Sequence, residues 1–423
     1  MRKTIEKALK ETGVSVYSIE ETTTESAELF FILKQLDVRR MKKVTSYRVA
    51  VYRDFEEDGR KFRGNSEIVV NPGTTEEELK RELGKAFESA KNTKNPYYEL
   101  YKGTTEAPAE DRSSLASVSL PDAAALFAKA AFEADVDPEA FLNSLEVFAE
   151  RRTVRFVSSL GFENGYKKSV VKGEFVTQCK AGQDVEQYFG FEYADCCPEE
   201  LTEKVKKALQ TVKDRAKATE APKSGSYDVI LSGENVRQLM NAYLYKCATA
   251  LVFPHYSDAE VGKPIQGEAL DGEALNLSVV PSVPYSEEGI PMKERKLLEN
   301  GVVGFLHGSS RFASYMGLEP TGVYRRVKLE NGTVPFDEMK KGCLYPVTFS
   351  DFSMNPITGD FGGEMRLAYY FDGEEVKILT GGSINASIVE KQGDLTFSLE
   401  RYKDASYEGP LAVKLRNVAV AGK

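Results

Sequence analysis

The chain has 423 residues and a formal net charge of −9 at pH 7. Hydrophobic residues make up 41% of it and charged residues 29%, which is typical of a globular protein long enough for two domains with separate cores. The negative charge argues against nucleic acid as a partner, because phosphate contacts need a basic surface.

Residues 1–217 are predicted to form an N-terminal α+β domain. Its first part has the pattern of a helix, two strands and a second helix, which opens with the capping-box pair Thr75 and Glu78. We place the first helix and the two strands at residues 4–12, 27–38 and 45–53. The basic run at residues 39–43, between the strands, is interpreted as a solvated turn rather than a phosphate site.

The second part of this domain repeats the order of helix, strands and helix. After a polar loop at residues 101–116, helical periodicity runs through residues 121–147 with a break near Asp137 and Pro138. A further amphipathic helix, which places Leu201, Val205, Leu209 and Val212 on one face, follows the strands of this part. Turn signals at residues 163–165 and 181–183 separate predicted strands at 151–160, 166–179 and 186–193. This order predicts an antiparallel sheet backed by helices.

A polar linker at residues 218–226 is predicted to separate this domain from a second one at residues 227–423. One main helix is expected at residues 234–251. Short strands with Gly and Pro between them follow, which predicts a sheet-rich, barrel-like domain. The strands are placed at residues 275–280, 301–306, 322–328, 344–350, 364–371, 375–379, 394–399 and 411–418.

The cysteines and the N-terminus indicate the compartment. The N-terminus is charged, and no run of about 18 apolar residues predicts a membrane span. The cysteines are odd in number and irregularly spaced, which does not suggest a disulfide framework: Cys179, Cys196, Cys197, Cys247 and Cys343. We therefore expect a cytoplasmic protein with reduced thiols and no membrane contact.

The segment at residues 350–364 is rich in special backbone positions. Asn355-Pro356 predicts the start of a turn, and Thr358-Gly359-Asp360 predicts a second bend. Gly362-Gly363 allows close approach of another backbone. The pattern fits either a functional loop or a tightly packed structural turn.

This segment resembles the C-terminal signature of the TldD/PmbA family, two-subunit peptidases also called modulators of DNA gyrase. Five further segments are similar to family elements in the same order: residues 227–232, 287–291, 299–305, 313–317 and 321–322. The resemblance covers most of residues 227–390 and is weaker in the N-terminal half. It implies a β-rich C-terminal domain of the TldD/PmbA type.

The chain departs from the family's catalytic subunit at the zinc motif. That subunit carries His-Glu-x-x-x-His on a helix, where two imidazoles hold zinc and the glutamate activates water. The corresponding positions here are Asn241, Ala242 and Lys246, and no cysteine follows Cys343 to supply the family's further ligand. The resemblance therefore implies a zinc-free, PmbA/TldE-like subunit with no catalytic or metal-binding residues of its own, and zinc on a TldD-like partner.

Candidate contacts to a peptide or to the partner lie in two places. Asn241 and Tyr245 share one face of the predicted main helix, although a packed structural helix explains them as well. The loop contributes Asp351, Asn355, Thr358 and Asp360, which could equally satisfy the loop's own backbone. The strands flanking the loop could also bind a peptide by strand addition.

Other chemistry receives little support from the sequence. Cys247, His255 and Asp258 could in principle ligate a metal, but their spacing matches no recognised site. His307 is expected to cap the next helix or to lie at a subunit surface. No Gly-rich phosphate loop or nucleophile elbow is present.

The first functional hypothesis is a non-catalytic subunit of a heterodimeric zinc metallopeptidase, which closes the chamber and positions peptides for proteolysis by its partner. The alternative is a free-standing homodimer that binds peptides without peptidase activity. An independent hydrolase with an unrecognised site is a third possibility. Under the first hypothesis the chain alone is not expected to cleave peptides.

Overall fold

A computed structural model describes residues 1–267, 270–373 and 375–423. Its α-helices are α1 (Arg2–Glu11), α2 (Glu76–Ser89), α3 (Leu120–Ala134), α4 (Pro198–Lys217), α5 (Glu234–Lys246), α6 (Thr249–Val252), α7 (Ser310–Tyr315), α8 (Phe336–Met339) and α9 (Ile388–Lys391). The strands of the N-terminal half are β1 (Val16–Ile32), β2 (Gln35–Glu57), β3 (Arg60–Val70), β4 (Ala140–Ser158), β5 (Phe162–Cys179) and β6 (Val185–Tyr193).

The C-terminal half holds the remaining strands. They are β7 (Gly225–Ser232), β8 (Leu277–Val279), β9 (Arg295–Glu299), β10 (Val302–Val303), β11 (Val327–Leu329), β12 (Leu344–Phe349), β13 (Ser353–Met354), β14 (Asp360–Phe371), β15 (Val376–Leu379), β16 (Ser383–Ser387), β17 (Thr396–Phe397), β18 (Arg401–Lys403), β19 (Tyr407–Pro410) and β20 (Ala412–Ala421).

The N-terminal half is one antiparallel sheet with helices packed on it, which confirms the predicted α+β class. The strand order is β3-β2-β1-β4-β5-β6. Helices α1 and α2 bury Leu9 and Leu83 with Val49 of the sheet. Helices α3 and α4 bury Phe127 and Val205 with further strand residues. Apolar stripes at helical spacing therefore form two core clusters along one sheet.

Several expectations for this half are wrong. Residues 27–38 are a hairpin rather than one strand, because the chain turns at Leu33 with φ 54°. Residues 140–147 belong to β4 rather than to a helix. There Leu145 and Val147 are buried on alternate positions, the period of a strand. Residues 163–165 lie inside β5, and the chain turns instead at Gly161, where φ is 92°.

The basic run at residues 39–43 is part of β2 and not a turn. Arg40 and Lys42 both pair with the buried carboxylate of Glu28, at 2.5 and 2.7 Å. Lys43 pairs with Glu25 at 2.8 Å. Three of the four basic side chains in this run are therefore paired with carboxylates of β1.

The C-terminal half contains a closed five-stranded barrel, as the prediction of a barrel-like domain requires. Strands β12, β7, β20, β16 and β14 pair in that order, and β14 pairs back with β12. Helix α5 packs against β7 and shares one core with the barrel, to which it contributes Leu239 and Tyr243. A second sheet has the order β10-β9-β8-β11-β19-β18.

The predicted main helix ends early. It stops at Lys246 and resumes as α6 at Thr249, because a neighbouring segment inserts its hydrogen bonds there. The His307 N–H donates to Cys247 O at 3.0 Å, and the Thr249 N–H donates to His307 O at 2.9 Å. Predicted strands at 301–306, 322–328 and 394–399 shrink to two or three residues each. Gly301 and Gly322 have φ of 76° and 77°, outside the range of a strand.

The segment proposed as the linker is tied to the C-terminal half. The Thr380 N–H donates to Glu220 O at 2.8 Å, and β7 already begins at Gly225. The domain division at residues 218–226 stays a prediction. Across the described part of the chain, no helix is both long and apolar enough to cross a membrane.

Candidate functional site

Helix α5 follows β7 through Gly233, whose φ of 56° allows the sharp reversal between strand and helix. The helix buries Val236, Leu239 and Tyr243 in the barrel core. The Tyr243 hydroxyl donates to Gln392 Oε1 at 3.3 Å, and burial raises the pKa of this phenol. The buried face of α5 is therefore structural.

The three positions aligned with the family's zinc motif have different environments on α5. Ala242 is 1% exposed and belongs to the core. Lys246 is 9% exposed, and Asn241 is half-buried with an Oδ1 atom that accepts no hydrogen bond from the described residues. A methyl group, an ammonium and an amide offer neither imidazole ligands nor a carboxylate base.

His307 is a structural residue, which corrects the expectation of a helix cap or surface position. It is 2% exposed. Its Nε2 lies 2.9 Å from Leu244 O, and its Nδ1 accepts the Tyr324 N–H at 3.4 Å. Burial lowers the pKa of the imidazole, so the neutral form ties the end of α5 to the barrel.

The alternative metal ligands do not form a site. Cys247 is fully buried, while His255 and Asp258 are exposed. Among residues 1–267, 270–373 and 375–423, no group of three or more His, Cys, Asp or Glu side chains is arranged to hold a metal ion.

The predicted loop connects β13 to β14 and is closed by its own hydrogen bonds. Asn355 Oδ1 accepts the Ile357 N–H at 2.9 Å and the Thr358 N–H at 3.3 Å. Thr358 Oγ1 accepts the Asp360 N–H at 3.3 Å. Gly359 has φ of 81°, and its N–H donates to Asn355 O at 2.8 Å. These contacts define a tight turn that holds its polar side chains in place.

The carboxylates of the loop differ in their partners. Asp351 Oδ1 accepts the Ser350 hydroxyl at 3.1 Å and the Glu364 N–H at 3.4 Å. Asp360 is exposed, and its carboxylate has no hydrogen bond or ion pair with any residue that the structure describes. Asp360 is therefore the loop carboxylate that remains available to another molecule.

The structure brings the two predicted groups onto neighbouring elements. Helix α5 contacts β13, the short strand that precedes the loop. Tyr245 is 50% exposed, and Ile357 at the loop tip is 46% exposed. Tyr245, Ile357 and Asp360 thus present an accessible phenol, an apolar side chain and a free carboxylate on adjoining elements.

The sequence-based reasoning missed two cavities between the halves of the chain. One, of about 1140 Å³, lies between α4 and the segment around β18 and includes Lys204 and Tyr402. The other, of about 390 Å³, lies between the N-terminal sheet and residues 282–292. Neither has a local sequence pattern, because each is built from distant segments. The acidic Glu287-Glu288-Gly289 turn marks the second one only in part.

Comparisons with known proteins agree on the family and on the fold. Residues 224–422 match the family described as PmbA/TldA metallopeptidase C-terminal domain. A zinc metalloprotease TldD homolog from Saccharolobus solfataricus is 28% identical over 123 residues. That match covers 26% of this chain, and the chain spans only 26% of the relative's length.

Solved structures match over nearly the whole chain. TldE from Thermococcus kodakarensis has a TM-score of 0.76 at 17% identity, covering 99% of this chain and 100% of the other. A candidate modulator of DNA gyrase from Bacteroides thetaiotaomicron has a TM-score of 0.77 at 16% identity, covering 100% and 99%. A similar Thermotoga maritima protein has a TM-score of 0.74 at 17% identity, covering 99% of both chains. At such identities these matches establish the shared fold. Residues 224–422 are thus a C-terminal domain of the TldD/PmbA family.

Proposed function

We propose that this chain is the non-catalytic, TldE-like subunit of a two-subunit zinc metallopeptidase. The observation that carries the proposal is α5, where Asn241, Ala242 and Lys246 occupy the positions of the zinc ligands and the base. A TldD-like partner would supply the metal, the base and the attacking water. The likeness in fold to TldE supports the same assignment.

The role of this chain would be to close the chamber and to hold peptides near the partner's metal. Tyr245 offers a ring and a hydroxyl, Ile357 offers apolar area, and Asp360 offers a free carboxylate. Interfaces are typically anchored by such aromatic and apolar groups. The same surface would be supported by four further polar residues: Asn241, Asp351, Asn355 and Thr358. We also propose a cytoplasmic location for the complex.

Reconstitution tests this proposal. The chain and its TldD-like partner are purified separately and assayed on an unfolded peptide, alone and mixed, with and without a chelator. We expect cleavage by the mixture, abolition by the chelator, and no cleavage by this chain alone. Chelator-resistant cleavage by this chain alone would contradict the proposal. A homodimer that binds the peptide and never changes the partner's activity would favour the peptide-binding module.

A further inference from the structure

The cavity of about 390 Å³ lies between the N-terminal sheet and the segment at residues 282–292. Its volume is within the range of about 300–1,000 Å³ that is usual for small-molecule pockets. One wall is a row of side chains on adjacent strands, where Glu20 of β1 is paired with Phe156 of β4, and Phe156 with Asn164 of β5. The opposite wall includes Glu288. Both halves of the chain therefore build this site.

Two carboxylates in this cavity lack a cation. Glu20 accepts one hydrogen bond, from the Thr22 hydroxyl at 3.3 Å, and Glu288 accepts one, from the Ser310 N–H at 2.8 Å. Neither forms an ion pair within the described part of the chain. Burial raises the pKa of both groups, since a partly desolvated carboxylate without a counter-charge is costly.

The nearby cations are held by other groups. Arg152 pairs with Glu150 at 2.7 Å, and Arg325 pairs with Glu287 at 3.0 Å.

Two further arginines interact electrostatically with the carboxylates over longer distances. Arg48, which attracts Glu20, lies 3.5 Å from Glu67. Arg311, which acts on Glu288 at longer range, donates to Asn95 Oδ1 at 3.0 Å. These arginines are therefore already bonded to other side chains, whereas Glu20 and Glu288 have no ion-pair partner among the described residues.

Asn164 provides a second, independent observation, which is an unpaired hydrogen-bond acceptor in the cavity wall. It is 2% exposed and lines the cavity. Its Nδ2 donates to Gly289 O at 2.8 Å, whereas its Oδ1 is buried without a partner among the described residues. A buried amide oxygen with no protein partner is unusual in a native structure, so this atom is available to accept a hydrogen bond from a bound molecule.

We propose that this cavity binds the primary ammonium group of a small ligand between Glu20 and Glu288, with Asn164 Oδ1 as a third acceptor. A primary ammonium carries a positive charge and three N–H donors, which matches two unpaired carboxylates and one unpaired amide oxygen. No third carboxylate, His or Cys among the described residues joins these groups in a metal-ligating cluster. The ammonium could be the N-terminus of a peptide or a lysine side chain. The inference goes beyond the proposed function, since the site lies wholly on this chain and requires no partner.

Calorimetric titration of the full chain at pH 7 tests this inference. The probes are the dipeptide Ala-Ala, Nα-acetyl-lysine methylamide and N-acetyl-Ala-Ala. We expect saturable binding of at least one of the first two and at least about tenfold weaker binding of the third, which lacks an ammonium. The better of the first two identifies the source of the ammonium.

The same titration is repeated with the variants Glu20→Gln, Glu288→Gln and the double variant, each of which keeps the side-chain shape. We expect each single variant to weaken binding of the ammonium probe by at least about tenfold. The matched control is Glu338→Gln, an exposed carboxylate on α8, which should leave binding unchanged. A measurement of thermal unfolding verifies that the variants are folded. No binding of either ammonium probe, equal binding of the acetylated dipeptide, or unchanged affinity in the double variant would overturn the inference.

Discussion

At the residue scale, the small buried side chain of Ala242 limits which catalytic groups α5 can carry. Its side chain is part of the barrel core, so a longer polar group at this position would be buried. The family's base cannot be placed there without burying a carboxylate, which costs several kcal/mol unless it is paired. At these positions α5 therefore offers neither the family's zinc ligands nor space for its base.

A triple variant tests this reading of α5. This variant combines Asn241→His, Ala242→Glu and Lys246→His and so carries the His-Glu-x-x-x-His sequence. We nevertheless expect no zinc-dependent peptide cleavage by the isolated variant. The further cysteine ligand is still missing, and Ala242→Glu lowers stability by about 2–4 kcal/mol. Peptidase assay with added zinc and a urea unfolding curve measure the two effects. Chelator-sensitive cleavage by this variant alone would refute the account of α5.

Glu288 gives a pH-dependent prediction. Burial raises its pKa above the ordinary value of 4.5, so the folded state binds its proton more tightly than the unfolded state does. Stability therefore falls as pH rises from 4.5 through the raised pKa, and the full cost is present once the group is ionised. Glu288→Gln removes this cost while the amide oxygen can still accept the Ser310 N–H.

We expect Glu288→Gln to unfold at higher urea concentration than the parent at pH 7. At about pH 4 the two proteins should be equally stable, because the parent carboxyl is then protonated. Glu338→Gln should show no such difference at either pH. A less stable Glu288→Gln variant at pH 7 would mean that Glu288 is held by a cation.

Side chains that depend on distant partners could not be assigned from the sequence. The sequence Asn164-Gly165 is typical of a turn, but it lies within a long strand. There the Asn164 side chain donates a hydrogen bond to Gly289 O, 125 positions away in the chain. Nothing in the sequence around His307 indicated that its side chain contacts Leu244 O. By contrast, the loop at residues 355–360 forms the predicted turns, since Asn, Pro and Gly act through local backbone geometry.

At the scale of elements, the conformation of the loop between β13 and β14 depends on Gly359. Its φ of 81° suits glycine, and a Cβ atom there would lie 2.7 Å from Val389 Cγ2. Gly359→Ala should therefore destabilise the protein by about 1–3 kcal/mol, measured as a lower urea midpoint. The matched control, Gly73→Ala, meets nothing within 4 Å and should change stability by less than about 0.5 kcal/mol. Equal midpoints for both variants would contradict this account of the loop.

Elements with strong local signals were predicted best. The capping box at Thr75 and Glu78 opens α2, and the amphipathic stripe of α4 forms where expected. Errors arose where long-range pairing overrode local pattern: residues 140–147 look helical, yet all of them except Asn143 pair with β5. The break after Lys246 likewise depends on hydrogen bonds from His307, 61 positions beyond it in the chain, which no local pattern encodes.

At the scale of the whole molecule, the two halves are joined by several polar contacts. Arg311 donates to Asn95 Oδ1 at 3.0 Å, and the Tyr315 hydroxyl donates to Pro96 O at 2.8 Å. Asn164 adds its bond to Gly289. The Asn164 bond joins the two walls of the smaller cavity directly, since Asn164 lies on one wall and Gly289 in the segment that forms the other. Tyr245 and Ile357 are both exposed on the barrel half, where we propose that the partner subunit binds.

The central claim is that this chain works with a zinc-bearing partner and carries no zinc itself. The most direct measurement is a pull-down of the tagged chain from extract of its native cells, with zinc quantified in the eluate. The account predicts a TldD-like protein in the eluate with stoichiometric zinc, and no zinc on the chain purified alone. Tight zinc binding by the isolated chain, or a metal-free homodimer with no such partner, would contradict it.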